Sequence, residues 1–429
     1  MQSGNRALGL IFATLLIDIA AMGMTLPVLP GIIGRFVGGD LARAAQLAGA
    51  VGALAAGLAF VCAPVIGEVS DRHGRKPVLL LGMLGPGLTY LLLAAAPSVA
   101  WLFAGYVVAG ILGAIFATVN AYVADITPAE ERAGRYGLLG AAFGLGFIVG
   151  PLAGGLLGGL GLRVPLYAAG GLTLLNLALC LFLLPESLPA SRRRAFSWAN
   201  ANPLASLGLL RRDRAILALA ASLFLSNLAL NGTYSTWIFS TTLRFGWGIV
   251  QTGATLAVVG LLAALVQGLL VGLAVKRLGE RRSILLGLAV GALSFLAYAL
   301  ATHTWMFYLV IVVASLAALD APASQALLSA SVGEDEQGAM QGALASALSL
   351  TRIAGPLIAT NAFAYFVSPS APVYFPGAPF ATGAVLMVGA LALAWRFVRP
   401  AAPATASARA DGTLVPSPSS PPLSPLKPG

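Results

Sequence analysis

Charged side chains are scarce in this chain of 429 residues. Only 9% of the residues are Asp, Glu, Lys or Arg, whereas 58% are hydrophobic. A soluble domain carries about 25% charged residues. The composition therefore excludes an ordinary water-soluble globular protein, and most of the surface must face a solvent other than water.

Cysteine and histidine are scarcer still. Cys62 and Cys180 fall within long apolar segments, and His73 and His303 lie far apart. No zinc-binding spacing results, and we assign both cysteines to packing. The sequence also lacks a nucleotide-binding loop and a nucleophile constellation. We therefore expect a protein that is not an enzyme and that uses no metal or cofactor.

Long apolar segments dominate the chain. A membrane span needs ~20 mostly apolar residues, because the hydrocarbon is ~30 Å thick and a helix rises ~1.5 Å per residue. Twelve windows meet this need, and we number them span one to span twelve: 7–29, 45–66, 78–97, 100–122, 135–158, 164–184, 215–240, 250–274, 284–301, 305–329, 338–367 and 378–397. Their lack of strict two-residue alternation excludes a barrel. The sequence predicts an all-α membrane protein with twelve transmembrane helices.

An internal repeat divides these spans into two sets. GEVSDRHGRKP (67–77) aligns with GLAVKRLGERR (272–282) at a shift of 205 positions. The same shift places GPLAGG (150–155) on GPLIAT (355–360). Parallel repeats of six spans bind a cargo near the bilayer midplane, between the halves. The repeat therefore predicts two six-helix bundles and a transport function.

The repeat and the composition also set the expected domain boundaries. They are a first half at 1–184, a cytoplasmic linker at 185–214, a second half at 215–398, and a disordered tail at 399–429 that is rich in Pro, Ser and Ala. In the linker, Asn202 is placed to cap a helix and Pro203 to begin it. Leu204, Leu207 and Leu210 would share one face. We expect a short helix on the membrane surface, with an unstructured connector as the alternative.

The net charge of +10 reflects topology rather than a nucleic-acid partner. With the N-terminus in the cytoplasm, 20 of the 25 Lys and Arg residues fall in inner loops or termini and 4 in outer loops. This bias places both termini in the cytoplasm of a bacterial inner membrane. The expected partners are the lipid bilayer, a small-molecule substrate and protons, and we expect a monomer.

Several segments resemble a known family. GEVSDRHGRKP resembles the loop motif of the major facilitator superfamily, and GLGFIVGPLAGG (144–155) resembles the fifth-helix motif of its drug/proton antiporters. LIDIAAMGMTLPVLP (16–30) is similar to the first helix of the tetracycline/proton antiporters, and ADITPAEER (124–132) and RFGW (244–247) add to this likeness. The resemblance covers about residues 8–397. It implies the major facilitator fold and the use of a proton gradient.

The chain also departs from that group. Thr89 and Gly291 stand where the tetracycline antiporters carry acids, Tyr106 where they carry an arginine, and Ala263 where they carry a histidine. The resemblance implies export of an amphipathic small molecule or drug in exchange for protons, by alternating access. The departures keep an alternative open, an uptake carrier or facilitator of another organic solute. A third reading, a membrane sensor or scaffold, conflicts with the intact loop and fifth-helix motifs.

Three ionisable residues lie inside predicted spans and are the proton-coupling candidates. An unpaired charge at mid-membrane costs on the order of 2.5–3.5 kcal/mol, so such groups usually face a cavity or one another. Asp18 is the first candidate, and a structural acid bonded to a neighbour is the alternative. Asp320 and Arg352 have depths within ~5–7 Å of each other by helix rise. We expect them to pair, either as a neutralising salt bridge or as a switch.

Uncharged polar and aromatic side chains are the candidates for binding the cargo. An apolar cleft with a few polar groups suits an amphipathic ligand. Asn227 and Asn231 are four residues apart and share one face of span seven. The full set is Asn120, Asn227, Asn231, Tyr234, Trp237, Gln251, Gln267 and Gln325. Packing or helix bridging is the alternative role for each of them.

The loop motif and the glycine-rich helices predict moving parts. We expect a cytoplasmic gate in which cations of the loop face an acidic run at the start of span eleven, where the helix dipole also favours Asp71. These bridges would close the cytoplasmic side and break in the inward-open state. A plain solvated turn is the alternative. The gate candidates are Gly67, Asp71, Arg72, Gly74, Arg75, Lys76, Glu334, Asp335 and Glu336. The hinge and packing candidates are Gly146, Gly150, Pro151, Gly154, Gly155, Gly355 and Pro356.

Overall fold

The protein is helical throughout the part of the chain that the structure describes. This computed structural model describes residues 2–113, 116–128, 131–198, 202, 205–333 and 336–398. The predicted disordered tail, 399–429, lies outside the described residues. Twelve helices are long and apolar enough to cross a membrane, and each overlaps one predicted window. The predicted fold class is confirmed.

The helices follow the numbering of the spans. In the first half they are Gln2–Thr25 (span one), a short Leu29–Phe36, Leu41–His73 (two), Arg75–Ala95 (three), Val99–Leu112 with Phe116–Ile126 (four), Arg132–Leu160 (five) and Val164–Leu183 (six). In the second half they are Arg214–Phe245 (seven), Ile249–Leu265 with Val271–Leu278 (eight), Glu280–Leu300 (nine), Thr304–Ala314 with Asp320–Ala330 (ten), Gln337–Val367 (eleven) and Ala378–Phe397 (twelve). A π-helical turn, Val266–Leu270, interrupts span eight, and a 3-10 turn, Ser315–Leu319, interrupts span ten.

The repeat is visible in the backbone. Gly74 separates spans two and three at φ +105° and ψ 162°, and Gly279 separates spans eight and nine at φ +78° and ψ 163°. Positive φ is unfavourable for residues with a Cβ, which explains glycine at both turns. Pro151 and Pro356 also occupy equivalent places inside spans five and eleven.

Spans two and eleven join the two halves at one end of the bundle. We call the end at which span one begins and span twelve ends the terminal side, and the opposite end the far side. Near the far side, Gln46 Nε2 donates a hydrogen bond to Asn361 Oδ1 at 3.2 Å. One turn deeper, a Cβ placed on Gly49 would lie 2.2 Å from Thr360 Oγ1. These two spans therefore touch closely on the far side.

Spans five and eight form the second junction between the halves. A Cβ on Gly253 would lie 2.3 Å from the Pro151 carbonyl oxygen and 2.8 Å from the Cα of Gly155. A Cβ on Gly158 would lie 2.7 Å from Ile249. The far-side end of span five thus packs backbone to backbone on the start of span eight.

The terminal side is open by contrast. Among the described residues, Gln46–Asn361 is the one hydrogen bond that joins a span of the first half to a span of the second, and no ion pair does so. Glycines in the terminal-side halves of spans five and eleven meet open space: Gly134, Gly137, Gly140, Gly338 and Gly342. The molecule is closed on the far side, with a cleft that opens on the terminal side.

The linker attaches to each half separately. The Arg194 amide donates to the Asp71 carbonyl oxygen at 3.1 Å, in the first half. Farther along, a 3-10 helix spans Ala205–Arg211, and its Leu207 and Leu210 pack into the core of the second half. Pro203 and Leu204 lie outside the described residues. The membrane-surface location of this helix stays a prediction.

Candidate functional site

The cleft between the halves is lined by one face of span eleven. Gln341, Ala345 and Arg352 recur at helical spacing on this face, and all three are exposed. The opposite face carries the apolar residues Leu350, Leu357 and Ile358. Of the polar candidates on spans four, eight and ten, Asn120, Gln267 and Gln325 are exposed as well. Gln267 lies in the π-helical turn.

Asp18 lies in the middle of span one, and both of its carboxylate oxygens are buried. Neither oxygen has a hydrogen-bond partner among the described residues. Asn176 of span six lies beside the carboxyl group, and one of its two amide N–H groups points to the Thr14 carbonyl oxygen, 3.4 Å away. Tyr90 of span three is close enough to interact with Asp18 electrostatically. A buried, unpaired carboxylate is costly, so gain or loss of a proton here changes the energy of the first half.

Asp320 has a different environment. It begins the last helix of span ten, its side chain is buried, and Oδ1 accepts a hydrogen bond from Ser324 Oγ at 3.0 Å. Ser226 of span seven lies beside it. Span nine packs against its backbone, since a Cβ on Gly287 would lie 2.7 Å from the Asp320 amide nitrogen. Asp320 is thus held where spans seven, nine and ten meet.

The expected pairing of Asp320 with Arg352 is wrong for this conformation. Within the described part of the chain the two form no ion pair. Helix rise predicts similar depths, but it does not give the direction in which a side chain points. Asp320 points into the contact of spans seven and nine, whereas Arg352 lies on the exposed face of span eleven.

The two asparagines of span seven differ in their contacts. Asn231 Nδ2 donates to Thr351 Oγ1 of span eleven at 3.1 Å and to the Asn227 carbonyl oxygen at 2.9 Å. Asn227 Nδ2 donates to the Leu223 carbonyl oxygen of its own helix at 2.9 Å. Asn231 therefore connects two spans directly beside Arg352. Both residues are only half-buried, which leaves their amide oxygens near the cleft.

An aromatic row crosses between the halves at the cleft. Tyr234, one turn after Asn231, meets the Phe147 ring edge-on at 6.5 Å between centroids. Phe147 stacks in turn on Phe143, at 6.4 Å. Tyr234 is 49% exposed and Phe143 is 44% exposed, so both can contact a ligand. The sequence analysis did not select Phe143 and Phe147, although two aromatics four residues apart in a glycine-rich helix were a usable signal.

Two predicted cargo residues lie away from the cleft. Trp237 is buried, with the rings of Tyr298, Phe307 and Phe380 packed edge-on around it. Gln251 lies near the far-side end of span eight and donates to the Tyr308 hydroxyl at 2.9 Å. An aromatic residue such as Trp237 and a polar one such as Gln251 both suit a binding cleft. Each lies, however, on a helix face that is turned toward a neighbouring helix. We therefore assign Trp237 to the core of the second half, and Gln251 to a hydrogen bond that joins spans eight and ten near the far-side surface.

The loop motif forms an ionic network within the first half. The Arg75 guanidinium contacts the Asp71 carboxylate, and its Nε lies 3.1 Å from Asp125 Oδ2. Its side chain is only 12% exposed. Glu186 of the linker accepts the Arg75 and Lys76 amides at 2.8 and 3.3 Å, and thereby caps the first turn of span three.

This conformation does not test the predicted gate partners. We predicted that the loop cations face Glu334, Asp335 and Glu336. Glu336 is instead bound by Arg212 of the linker, at 2.6 and 2.7 Å, while Glu334 and Asp335 lie outside the described residues. The predicted bridges break when this side is open, and the open cleft separates the loop from span eleven in this conformation. Arg72 is exposed, and Gly67 meets open space.

The hinge and packing glycines allow close contact within and between the halves. A Cβ on Gly150 would lie 2.5 Å from the Ala20 carbonyl oxygen, and one on Gly154 would lie 2.3 Å from that of Met24. Gly146 packs on Ile19 in the same way. In the second half, the backbone of span seven at Leu228 and Gly232 comes within 3.0 Å of a Cβ on Gly355. Pro356 lies inside span eleven beside that contact. Whether these positions act as hinges stays a prediction.

Comparisons with known proteins agree with this architecture. The family model of the Major Facilitator Superfamily matches residues 11–274 and 262–427. Tetracycline resistance protein, class C, of Escherichia coli is 41% identical over 367 residues, which cover 85% of this chain and 91% of that protein. Tetracycline resistance protein, class H, of Pasteurella multocida is 30% identical over 403 residues, covering 93% and 98%.

Solved structures give the same fold. The human organic anion transporter MFSD10 (TETRAN) superposes with a TM-score of 0.66 at 25% identity, covering 91% of this chain and 99% of that one. The nucleoside transporter NupG superposes with a TM-score of 0.73 at 16% identity, covering 92% and 100%, and this likeness shows the fold alone.

Fold, cleft and relatives together define a secondary transporter with twelve membrane-spanning helices, not an enzyme. The chain belongs to the Major Facilitator Superfamily, as its loop motif suggested, and the tetracycline resistance proteins are among its relatives. Such a chain fits a multi-pass protein of the bacterial inner membrane.

Proposed function

We propose that the protein exports an amphipathic, tetracycline-like small molecule in exchange for protons. The observation that carries this proposal is Asp18, whose buried carboxylate oxygens have no hydrogen-bond partner among the described residues. A carboxyl group in this position gains more from a bound proton than one that already has partners. The similarity to tetracycline resistance proteins supports the same cargo class.

The arrangement of the cleft suits an amphipathic cargo. Tyr234, Phe143 and Phe147 offer ring surface, and aromatic faces contribute binding energy through area and stacking. Asn231 and Arg352 add polar and cationic contacts on the neighbouring faces. Asn120, Gln267 and Gln325 complete the proposed polar lining. A few polar groups in a largely apolar site orient such a ligand.

Transport proceeds by alternating access of the two halves. We place the terminal side in the cytoplasm, because the positive charges concentrate there. The present conformation is then open to the cytoplasm. In the opposite conformation, the predicted gate residues of the loop meet the start of span eleven, and the cleft opens outward. A proton bound at Asp18 from outside is released inside as the halves rock back.

A facilitator of another organic solute is the second candidate. Thr89 stands where the tetracycline group has an acid, and its hydroxyl donates to the carbonyl oxygens of Gly85 and Gly105 at 2.9 and 3.0 Å. Tyr106 stands where that group has an arginine, and it packs in an apolar cluster. These positions serve helix packing here, so fewer groups are left to couple protons to cargo.

A transport assay with paired variants separates the two candidates. The full chain is expressed in a bacterial host that lacks its drug pumps, and everted vesicles are loaded with protons by respiration. Tetracycline addition should dissipate the proton gradient in the parent, and an uncoupler should stop tetracycline uptake. Asp18→Asn should abolish both responses. The control is Asp40→Asn, because Asp40 is an exposed helix cap and Asn caps equally well.

Three outcomes are decisive in this assay. Proton-coupled tetracycline movement in the parent and in Asp40→Asn, but not in Asp18→Asn, supports the proposal. Tetracycline movement that ignores both pH and uncoupler supports the facilitator. Normal coupling in Asp18→Asn at normal expression removes Asp18 from the mechanism.

A further inference from the structure

A groove on the outer surface of the second half lies away from the cleft. It runs between spans nine and twelve near the terminal side and has a volume of about 780 Å³. Its lining is Leu285, Ala289, Val388, Leu391, Ala392, Trp395 and Arg396. The two alanines leave the space that larger side chains would fill. Apart from Arg396, the lining is apolar or aromatic.

Positive charge gathers at the terminal-side end of this groove. Arg281 and Arg282 lie in the first turn of span nine, and Arg396 lies in the last turn of span twelve. Glu280 is the one acid in that first turn. None of these four residues forms an ion pair within the part of the chain that the structure describes. The end of the groove is therefore net positive and open to an anion.

Arg281 and the neighbouring Trp395 are also held in place. Arg281 Nε and Nη2 donate to the carbonyl oxygens of Val398 and Trp395, at 2.6 and 3.1 Å, and so fix the last turn of span twelve to span nine. The Arg281 guanidinium lies 5.7 Å from the centre of the Trp395 ring. Trp395 is 67% exposed, at the level where indole rings favour the membrane interface.

We propose that this groove binds an anionic phospholipid of the terminal-side leaflet. The phosphate contacts Arg282 and Arg396, the Trp395 ring lies at the glycerol level, and an acyl chain follows the apolar lining past Ala289 and Ala392. Charge complementarity selects this occupant, since basic pockets between spans on the cytoplasmic side favour anionic headgroups. The apolar groove opens toward the lipid and can accommodate the acyl chain.

The first half shows how specific this arrangement is. At the shift of 205 positions, Arg282 and Arg396 correspond to Pro77 and Ser191, neither of which is charged. The nearby acid of the first half, Glu186, accepts the backbone amides of Arg75 and Lys76. The anion-binding surface is a feature of one half rather than of the repeat.

Quenching of tryptophan fluorescence by brominated lipids tests the proposal. The full chain is reconstituted in phosphatidylcholine vesicles with a minor fraction of brominated phosphatidylglycerol, or the same fraction of brominated phosphatidylcholine. The signal of Trp395 is the difference between the parent and Trp395→Phe. We expect brominated phosphatidylglycerol to quench Trp395 at a concentration on the order of tenfold lower than brominated phosphatidylcholine does, because two cations near the surface attract its anionic headgroup.

Three comparisons control the measurement. Arg282→Gln with Arg396→Gln should remove the preference for the anionic lipid. Lys276→Gln with Arg277→Gln removes the same charge outside the groove and should preserve the preference. Trp305 of span ten is exposed to a similar degree, at 64%. Its signal, obtained from Trp305→Phe, should be quenched equally by both lipids.

Four results would overturn the proposal. Equal quenching of Trp395 by both lipids in the parent indicates ordinary surrounding lipid. No quenching by either lipid indicates that a second copy of the chain covers the groove. Equal loss of preference in both charge variants indicates a general surface potential. If the groove variant does not fold, Ala392→Phe, which fills the groove and keeps the charges, must reduce quenching of Trp395 by the anionic lipid, and unchanged quenching contradicts the proposal.

Discussion

The two halves of the molecule share a backbone plan but use it differently. Gly74 and Gly279 have nearly the same ψ and both have positive φ. At the turn formed by Gly74, Arg75 joins Asp71 and Asp125 in an ionic network. At the turn formed by Gly279, Arg281 donates hydrogen bonds to carbonyl oxygens at the end of span twelve.

The buried acids show the same contrast. The carboxylate oxygens of Asp18, in the first half, have no hydrogen-bond partner among the described residues, whereas Asp320 in the second half accepts from Ser324. The repeat thus preserves helix packing, such as Gly150 and Gly355 in spans five and eleven. It does not preserve the chemistry of ionisable groups. We infer that proton coupling belongs mainly to the first half and cargo contact mainly to the second.

Replacement of the two acids should give the largest contrast. We expect Asp18→Asn to reduce proton-driven transport to the level of empty vesicles. Asp320→Asn should keep transport within roughly fivefold of the parent, because an amide still accepts the Ser324 hydroxyl and a neutral hydrogen bond contributes about 1 kcal/mol. Transport rates normalised to membrane expression measure both. Equal loss in the two variants would erase the distinction between the halves.

Two glycines of span five, one packed against span one and one facing open space, should respond differently to replacement by alanine. Gly150→Ala places a Cβ against the backbone of span one and should destabilise the fold by about 1–3 kcal/mol. Gly137→Ala, on the same span, meets open space and should be neutral or stabilising by up to about 1 kcal/mol. Thermal unfolding of the purified variants in detergent gives the difference. Similar melting temperatures for the two would show that span five does not pack on span one as described.

Replacing one arginine beside each of the two glycine turns should give a smaller difference in stability. Arg75→Gln leaves Asp71 and Asp125 without their cation and should cost about 1–2 kcal/mol, discounted because both acids are partly exposed. Arg281→Gln leaves two carbonyl oxygens at a partly exposed helix end without this donor, and should cost about 0.5–1 kcal/mol. High salt should weaken the effect of Arg75→Gln. Unfolding midpoints at low and high salt measure this, and a larger effect at Arg281 would reverse the comparison.

Cargo affinity should show the smallest change. Tyr234→Ala removes the ring that joins the aromatic row across the cleft, and should weaken tetracycline binding roughly threefold to tenfold. Gln251→Ala removes a residue that bonds Tyr308 near the far side, and should leave the affinity unchanged. Equilibrium binding in detergent tests both. A weaker affinity only in Gln251→Ala would move the site away from the cleft.

Much of the architecture could be predicted from the sequence. Apolar length determined the twelve spans, and the shift of 205 positions revealed the repeat that Gly74 and Gly279 show in the backbone. Both signals are local, because each depends on composition or spacing along one helix.

Contacts between helices were harder to predict. The pairing of Asp320 with Arg352 and the partners of Arg75 depend on how helices are rotated and on which conformation is present. Neither property is encoded by depth along a helix. The π-helical turn Val266–Leu270 and the 3-10 turn Ser315–Leu319 also lack a sequence signal of their own, because apolar residues fit all three helix types.

The most direct test measures the distance across the far side as a function of pH. Spin labels are attached through Arg43→Cys and Tyr365→Cys, both exposed positions, after Cys62→Ala; Cys180 is buried. If protonation of Asp18 is linked to closure of the far side, acidification should increase the short-distance population in the parent and in Asp320→Asn, but not in Asp18→Asn. A pH response that persists in Asp18→Asn would contradict the assignment of proton coupling to the first half.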